Sequence, residues 1–344
     1  MTTTRSAGRA RNGPSIDDVA RLAGFSAQTV SRVAHNSARV RPATRERVLA
    51  AMQELGYAPN EAARALRSGA FRSIGLIARD FARTGEALTT QSIVEAAEEE
   101  DYSVTLLAVR PGEAEGWQRA VHRLSRQAVD GLIIICAEET TPEAFRLPDG
   151  LPVSVSDSRF IGHYPDVGVD EAGGARDAVE HLLGLGHRTV HHIAGPPGSV
   201  PASTRLHAWR ATLLSHGLTP PPAPQGDWTA ASGYHAGRGL LEDESVTAVF
   251  AANDEMAMGL LGAAREAGRQ VPDDLSVVGF DAISLSAYSM PPLTTVHQDF
   301  HRSGQELVSL VLRQLREPGS VPLDTRVSLP ATLLIRGTTG PPPR

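Results

Sequence analysis

The chain has 344 residues and a formal net charge of −6, and all 33 of its basic residues are arginine. Without a lysine amine, P-loop phosphate binding, Schiff-base catalysis and the Ser-x-x-Lys hydrolase mechanism are excluded. The single Cys136, set in an apolar run, excludes an intrachain disulfide; with no signal-peptide segment and no apolar run of membrane-spanning length, a cytoplasmic location is expected.

Residues 1–72 carry 12 Arg against 5 Asp and Glu, whereas the remainder carries 21 against 34. A basic head on an acidic body suits a phosphate-binding module joined to a part that does not bind nucleic acid. The length allows a small domain and a large body of two lobes. Residues 1–14, rich in Thr, Ser, Arg and Gly without periodicity, read as a disordered basic arm. Ile16, Val19, Ala20 and Ala23 then fall on one stripe of a short helix, and Gly24 permits a tight turn.

Ser26 is placed to cap the next helix, with Val30 and Val33 inward and Ala27, Gln28, Ser31 and Arg32 outside. Small and hydrogen-bonding residues at the start of this second helix suit the DNA major groove; the same pattern also fits a plain capped hairpin. A third helix is predicted from Pro42, with Val48, Met52 and Leu55 on one face and Gly56 at its end. The segment after Pro59-Asn60 is helix-prone but too short to stand alone in water. From residue 73, apolar runs at Ile74, Val104, Gly131, Val153, Val190, Ala248 and Leu275 alternate with helical stretches such as 88–100, 172–186, 203–216 and 255–268. That alternation predicts an α/β body of parallel sheets covered on both faces, with ligands beyond the carboxyl ends of the strands.

Six motifs follow one another along the chain: Asp18-Val-Ala-Arg-Leu-Ala-Gly with Thr29-Val-Ser-Arg-Val, Thr44-Arg-Glu-Arg-Val with Leu55-Gly-Tyr-Ala-Pro-Asn, His181-Leu-Leu-Gly-Leu-Gly-His-Arg, Ala252-Asn-Asp-Glu-Met-Ala-Met-Gly, Ser276-Val-Val-Gly-Phe-Asp and Pro292-Leu-Thr-Thr-Val. In this order, from about Ser15 to Thr339, they resemble the lactose-repressor and galactose-repressor family of bacterial transcription factors. Gly226-Asp-Trp-Thr-Ala-Ala-Ser-Gly-Tyr and Gln298-Asp-Phe look more similar to the lactose-type than to the purine-type members. The resemblance implies a three-helix helix-turn-helix domain (15–60), a hinge helix and linker (61–72) and a two-lobed periplasmic-binding-protein-like body (73–340). Its lobes would be about 73–168 with 300–328, and 169–298 with 329–340.

By the same resemblance, Ser26, Ala27, Gln28, Thr29, Ser31, Arg32 and Asn36 would read DNA, helped by Asn60, Ala63 and a minor-groove wedge at Leu66. Asp157, Arg205, Asn253, Asp281 and Gln298 would face the cleft between the lobes, with Trp228 and Phe300 beside them. Carboxylates, amides and a guanidinium fork suit sugar hydroxyls, and an indole face suits the apolar face of a pyranose. Asp157 and Asp281 also read as strand ends, Asn253 as a helix cap and Trp228 as core. Three departures bear on the effector: Arg83-Thr-Gly-Glu replaces an aromatic stretch, Ala282 follows Asp281 where a second Asp is common, and Asp101 replaces a helix-ending Gly. Arg79 and Arg83 would favour a more polar or anionic ligand.

Enzyme signatures are missing: neither Gly184-Leu-Gly nor Gly237-Arg-Gly completes a dinucleotide fingerprint, and His191 and His192 point to opposite faces of a strand. No cofactor and no metal are expected. The leading expectation is a repressor that binds a near-palindromic operator as a homodimer, without membrane association, and is released by a carbohydrate, possibly a galactoside. Co-repression by a non-sugar or anionic small molecule is the second reading. A carbohydrate-binding or sugar-processing protein without a DNA role is the third, against which residues 15–60 argue.

Overall fold

The computed structural model describes residues 14–34, 39–58, 70–79, 83–109, 114–126, 129–135, 147–148, 150–156, 160 and 162–344. The chain divides into two units, Met1–Phe71 and Arg72–Arg344. In the first, α1 (Ile16–Ala23), α2 (Ala27–Ala34) and α3 (Pro42–Leu55) enclose Val19, Val30, Val33, Val48, Ala51 and Met52. Ser15 opens α1 with a capping box: Asp18 N–H donates to the Ser15 hydroxyl at 3.3 Å, and the Ser15 N–H donates to the Asp18 carboxylate at 2.9 Å. Gly24, at φ +74°, makes the left-handed turn before α2 that a side chain would oppose.

The second unit contains two sheets. In the first, β1 (Ser73–Ala78), β2 (Ser103–Ala108), β3 (Gly131–Ile135), β4 (Val153–Ser156), β5 (Asp166–Val169) and β10 (Arg326–Leu329) run parallel in the order β10-β5-β4-β3-β1-β2. The uninterrupted apolar run of β3 follows from burial on both faces. Ile133 and Ile135 meet Ile93 of α4 (Thr84–Glu99) and Leu307 of α10 (Phe300–Arg316), while Leu132 and Ile134 meet Val121 and Leu124 of α5 (Ala114–Arg126). In the second sheet, β6 (His191–Ile193), β7 (Ala248–Ala251), β8 (Ser276–Asp281) and β9 (Thr294–His297) are parallel, and β11 (Thr332–Leu334) closes the edge antiparallel to β9. Phe250 and Phe280 pack toward α6 (Glu171–Gly184) and α7 (Val200–Ser215); Val249 and Val277 pack toward α8 (Ala230–Leu240) and α9 (Asp254–Glu266).

The chain passes between the sheets after β5, after β9 and after β10. These three crossings bring α6, the Gln298–Phe300 segment and the β10–β11 link to one junction. The helices near 88 and 203 begin earlier than hydrophobic periodicity alone suggested, at Thr84 and Val200. Their first turns are polar or small, and Ser199 caps the second with Pro201 in the first turn, where its missing N–H costs nothing. Short strands at Asp166, Thr294 and Arg326 lack strong apolar runs, and only pairing with their neighbours defines them. Cys136 lies outside the described residues.

The His181-to-Arg188 motif is structural. His187, buried, bonds to Thr247 at 2.9 Å, to Ser276 at 3.1 Å and to the Gly340 carbonyl at 3.0 Å, and His181 meets the Thr339 hydroxyl at 3.0 Å. Burial pushes both imidazoles below their ordinary range. Thr338, also buried, accepts from Thr294 N–H and donates to the Val277 carbonyl. Segment 336–340 is thereby stitched across β8 and β9.

Candidate effector cleft and DNA-reading helix

The cleft of the second unit, about 680 Å³ and open to solvent, lies between the two sheets' carboxyl ends. Arg83, Thr84, Gly85, Glu86 and Thr89 from the start of α4, with Ile135 and Ser156 from the ends of β3 and β4, form one wall. Glu171, Ser199, Pro201, Arg205, Trp228, Asn253, Glu255 and Asp281 form the other, and Gln298 and Phe300 sit at a crossing. Arg205, Trp228, Asn253, Asp281, Gln298, Phe300 and Arg83 are thus brought together as the sequence expectation placed them. Arg79 is half-buried at the end of β1 and does not line this cleft, and Asp157 lies outside the described residues.

Arg205 is buried and already held. Its Nε donates to Glu171 at 2.5 Å and Nη2 to the other Glu171 oxygen at 3.1 Å, a two-pronged pairing; Nη1 donates to the Ala252 carbonyl and lies 3.5 Å from Asp281. The guanidinium also covers the Phe280 ring, 3.7 Å from its centre. Glu171, the first residue of α6, thus engages two edges of the guanidinium, while the side chain still lines the cleft.

Asp281 accepts from the Gln298 amide at 2.6 Å. Burial pushes its carboxyl up to about 8, against the pull of Arg205 and with Asp254 and Glu171 adding repulsion. Asp254, beneath it, is pushed by burial to about 7 while accepting from Ile283 N–H at 2.9 Å and from the Thr295 hydroxyl. Asn253 serves both of its sequence readings: its carbonyl oxygen caps α9 by accepting from Met256 N–H at 2.9 Å, and its amide donates to the Trp228 carbonyl at 3.0 Å. Trp228 likewise belongs to the core and lines the cleft.

Trp228, Asp281 and Ala282 have φ of +76°, +109° and +53°, conformations that non-glycine residues rarely adopt. Such backbone strain concentrates where side chains must be aimed at a ligand. Behind the cleft, His192 is fully buried between Trp209 and Phe250, with ring centres 5.3 and 4.9 Å away, and burial drives its pKa down to about 4. Its neighbour His191 is half-buried on the opposite face, so the pair shares no site. Among the described residues no group of three or more His, Cys, Asp or Glu is arranged to hold a metal.

In the head, Ser26, Gln28 and Arg32 are exposed, and Thr29 and Ser31 are half-buried. Thr29 N–H donates to the Ser26 hydroxyl at 3.2 Å, so Ser26 caps α2. Ala27 and Ser31 are not outside as expected: both are half-buried, Ala27 against the three-helix core, because it lies next to the turn that brings α2 onto α1. Asn36, Asn60, Ala63 and Leu66 lie outside the described residues.

Residues 15–60 match the model of the bacterial regulatory proteins, lacI family, and residues 179–339 that of a periplasmic binding protein-like domain. The lactose operon repressor of Escherichia coli K12 is 36% identical over 332 residues, covering 94% of this chain and 89% of that protein. This chain belongs to the lacI family. Its members also include the regulator CelR of Thermobifida fusca, 33% identical over 95% of this chain and 98% of CelR. A crystal structure of the lac repressor dimer bound to operator and the anti-inducer ONPF superimposes with a TM-score of 0.82 at 34% identity, covering 96% of this chain and 100% of that one. The complex of CelR with cellobiose gives a TM-score of 0.70 at 31% identity over 94% and 99% of the two chains. As a lacI-family member, the chain is a DNA-binding transcriptional regulator with a small-molecule-binding body. Among the described residues no helix is long and apolar enough to cross a membrane.

Proposed function

We propose that this regulator is a homodimeric repressor released from a near-palindromic operator by a carbohydrate. The observation that carries the reading is the composition of the cleft: the aromatic groups of Trp228 and Phe300 stand beside the hydrogen-bonding groups of Asn253, Asp281, Glu255 and Gln298. That combination suits a molecule with an apolar ring face and hydroxyls around its rim. The relatives named for lactose, cellobiose and ribose point the same way. The anionic alternative is less supported, because Arg83 is paired with Glu86 at 3.2 Å and Arg79 does not line the cleft.

For base reading, exposed Gln28 and Arg32 are the side chains of α2 best placed to reach an adenine or guanine edge. The dimer reading is supported by exposed Leu285, Tyr288 and Met290, close in sequence on the second lobe; Met290 is 96% exposed in the single chain. The lac repressor is a dimer in its operator complex. The test is operator binding by the full-length protein, on a site obtained by randomised selection, across a panel of mono- and disaccharides. A sugar that weakens operator binding and is bound with one molecule per chain supports the reading. A panel that only tightens operator binding favours co-repression, and one that leaves both operator affinity and calorimetry unchanged refutes a carbohydrate effector.

A further inference from the structure

Among the described residues that line the cleft, the charges do not balance. Of these, the guanidinium groups of Arg83 and Arg205 face the carboxyl groups of Glu86, Glu171, Glu255 and Asp281. Both cations are engaged within the wall, Arg83 by Glu86 and Arg205 by Glu171 with Asp281 nearby. Glu255 has no cationic partner among the described residues. One of its oxygens accepts from the Thr84 hydroxyl on the opposite wall, and the other lies 3.4 Å from the Asn253 amide. A carboxylate offers about four acceptor positions. Glu255 stands in the first turn of α9, where the helix N-terminus favours negative charge.

We propose that Glu255 receives a protonated amine of the effector, at the place now held by the Thr84 hydroxyl, which makes the effector an amino sugar in preference to a neutral or acidic one. This rests on the reading that the cleft takes a carbohydrate. An ammonium brings three donors and no acceptor, so it satisfies a carboxylate more fully than a hydroxyl does, whereas an acidic sugar would set a further anion among the carboxyl groups. The Trp228 and Phe300 rings also line the cleft, and the Arg205 guanidinium already lies 5.5 Å from the centre of the Trp228 ring, so the aromatic wall tolerates a cation. Thr84 and Glu255 belong to different lobes, so the amine replaces a wall-to-wall hydrogen bond by one through the ligand. Recognition of charge is in this way tied to the lobe arrangement.

The test is calorimetry on the full-length protein with galactosamine, glucosamine and the glucosamine disaccharide, each beside its neutral parent sugar, and with glucuronate. At least one amino sugar is expected to bind about ten- to a hundredfold more tightly than its parent, the range of a charge-assisted hydrogen bond. Glu255→Gln should bring the two within about threefold of each other, and Thr84→Val, which removes the competing donor, should tighten the amino sugar. Neutral sugars bound as tightly as their amino forms, or a preference that survives Glu255→Gln, overturn the amine assignment and leave the carbohydrate reading standing. Binding of no sugar at all overturns both. Should Glu255→Gln melt early, Thr84→Val decides, since an unchanged amino-sugar affinity in that variant contradicts the exchange.

Discussion

Replacing Arg205 by Ala tests whether its guanidinium acts mainly as scaffold. The side chain is 4% exposed and its partner Glu171 10% exposed, so water does little to screen the pair. Removing one member of a buried ion pair costs about 3–5 kcal/mol, because the remaining charge stays buried without its partner. Asp281 adds little to that cost, since its carboxyl already favours the neutral form at pH 7. At about 2 °C per kcal/mol for a body the size of Arg72–Arg344, Arg205→Ala should lower its melting temperature by about 6–10 °C in scanning calorimetry at pH 7. The double change Arg205→Met with Glu171→Leu, which removes both charges, should recover most of the loss. A single Arg205→Ala variant that melts within about 1 °C of the parent, yet no longer responds to effector, would refute the scaffold argument and make the guanidinium a direct ligand contact.

Three other outcomes follow. Asp254 and Asp281, with folded pKa values of about 7 and 8, hold protons that the unfolded chain has released above about 4; stability therefore falls as pH rises toward 8. His192, at about 4, acts in the opposite direction only below about 6.5, so the net fall should be clearest from pH 6.5 to 8.5 in thermal melts, and Asp281→Asn should flatten it. Asp101 follows α4 at φ +60°, where its N–H bonds to the Glu98 carbonyl at 3.0 Å. Asp101→Gly should thus stabilise the body by about 1 kcal/mol in denaturant titration, and a loss of stability would show that the Asp side chain makes a compensating contact. Gln28→Ala should weaken discrimination at one base pair per half-site by about 1–3 kcal/mol; recovery of an identical motif in randomised-site selection would remove Gln28 from base reading.

The strands with continuous apolar runs were legible because β1, β3, β7 and β8 are buried on both faces, which leaves a signal no surface segment imitates. Of the residues expected in the cleft, Arg83, Arg205, Trp228, Asn253, Asp281, Gln298 and Phe300 do line it, but their hydrogen-bond partners were not legible. Glu171 looks in sequence like an ordinary first-turn acid, and only the approach of α7 to α6 sets it against Arg205. Glu255 was read as part of a helix start; that it meets Thr84, 171 positions away, follows from the crossings between the sheets. Ala27 misled for a related reason, since its place in a short polar helix does not reveal how closely the preceding turn presses it onto the core. The strained backbone at Trp228, Asp281 and Ala282 has no signature in residue types that usually occupy other regions of φ.

The three passages between the sheets also set an order of events during synthesis. The head needs only residues up to about 58 to bury its core, and all of them are made within the first fifth of the chain. The first sheet waits for α10 and β10, and the second for β11 and the 336–340 stitch, so neither lobe can close until the last 45 or so residues have emerged. A nascent chain paused before Phe300 therefore carries a folded DNA-reading head on an unfinished body. Chaperone capture or proteolysis of paused chains should concentrate in residues 72–299, and limited digestion of stalled ribosome complexes would leave the head intact.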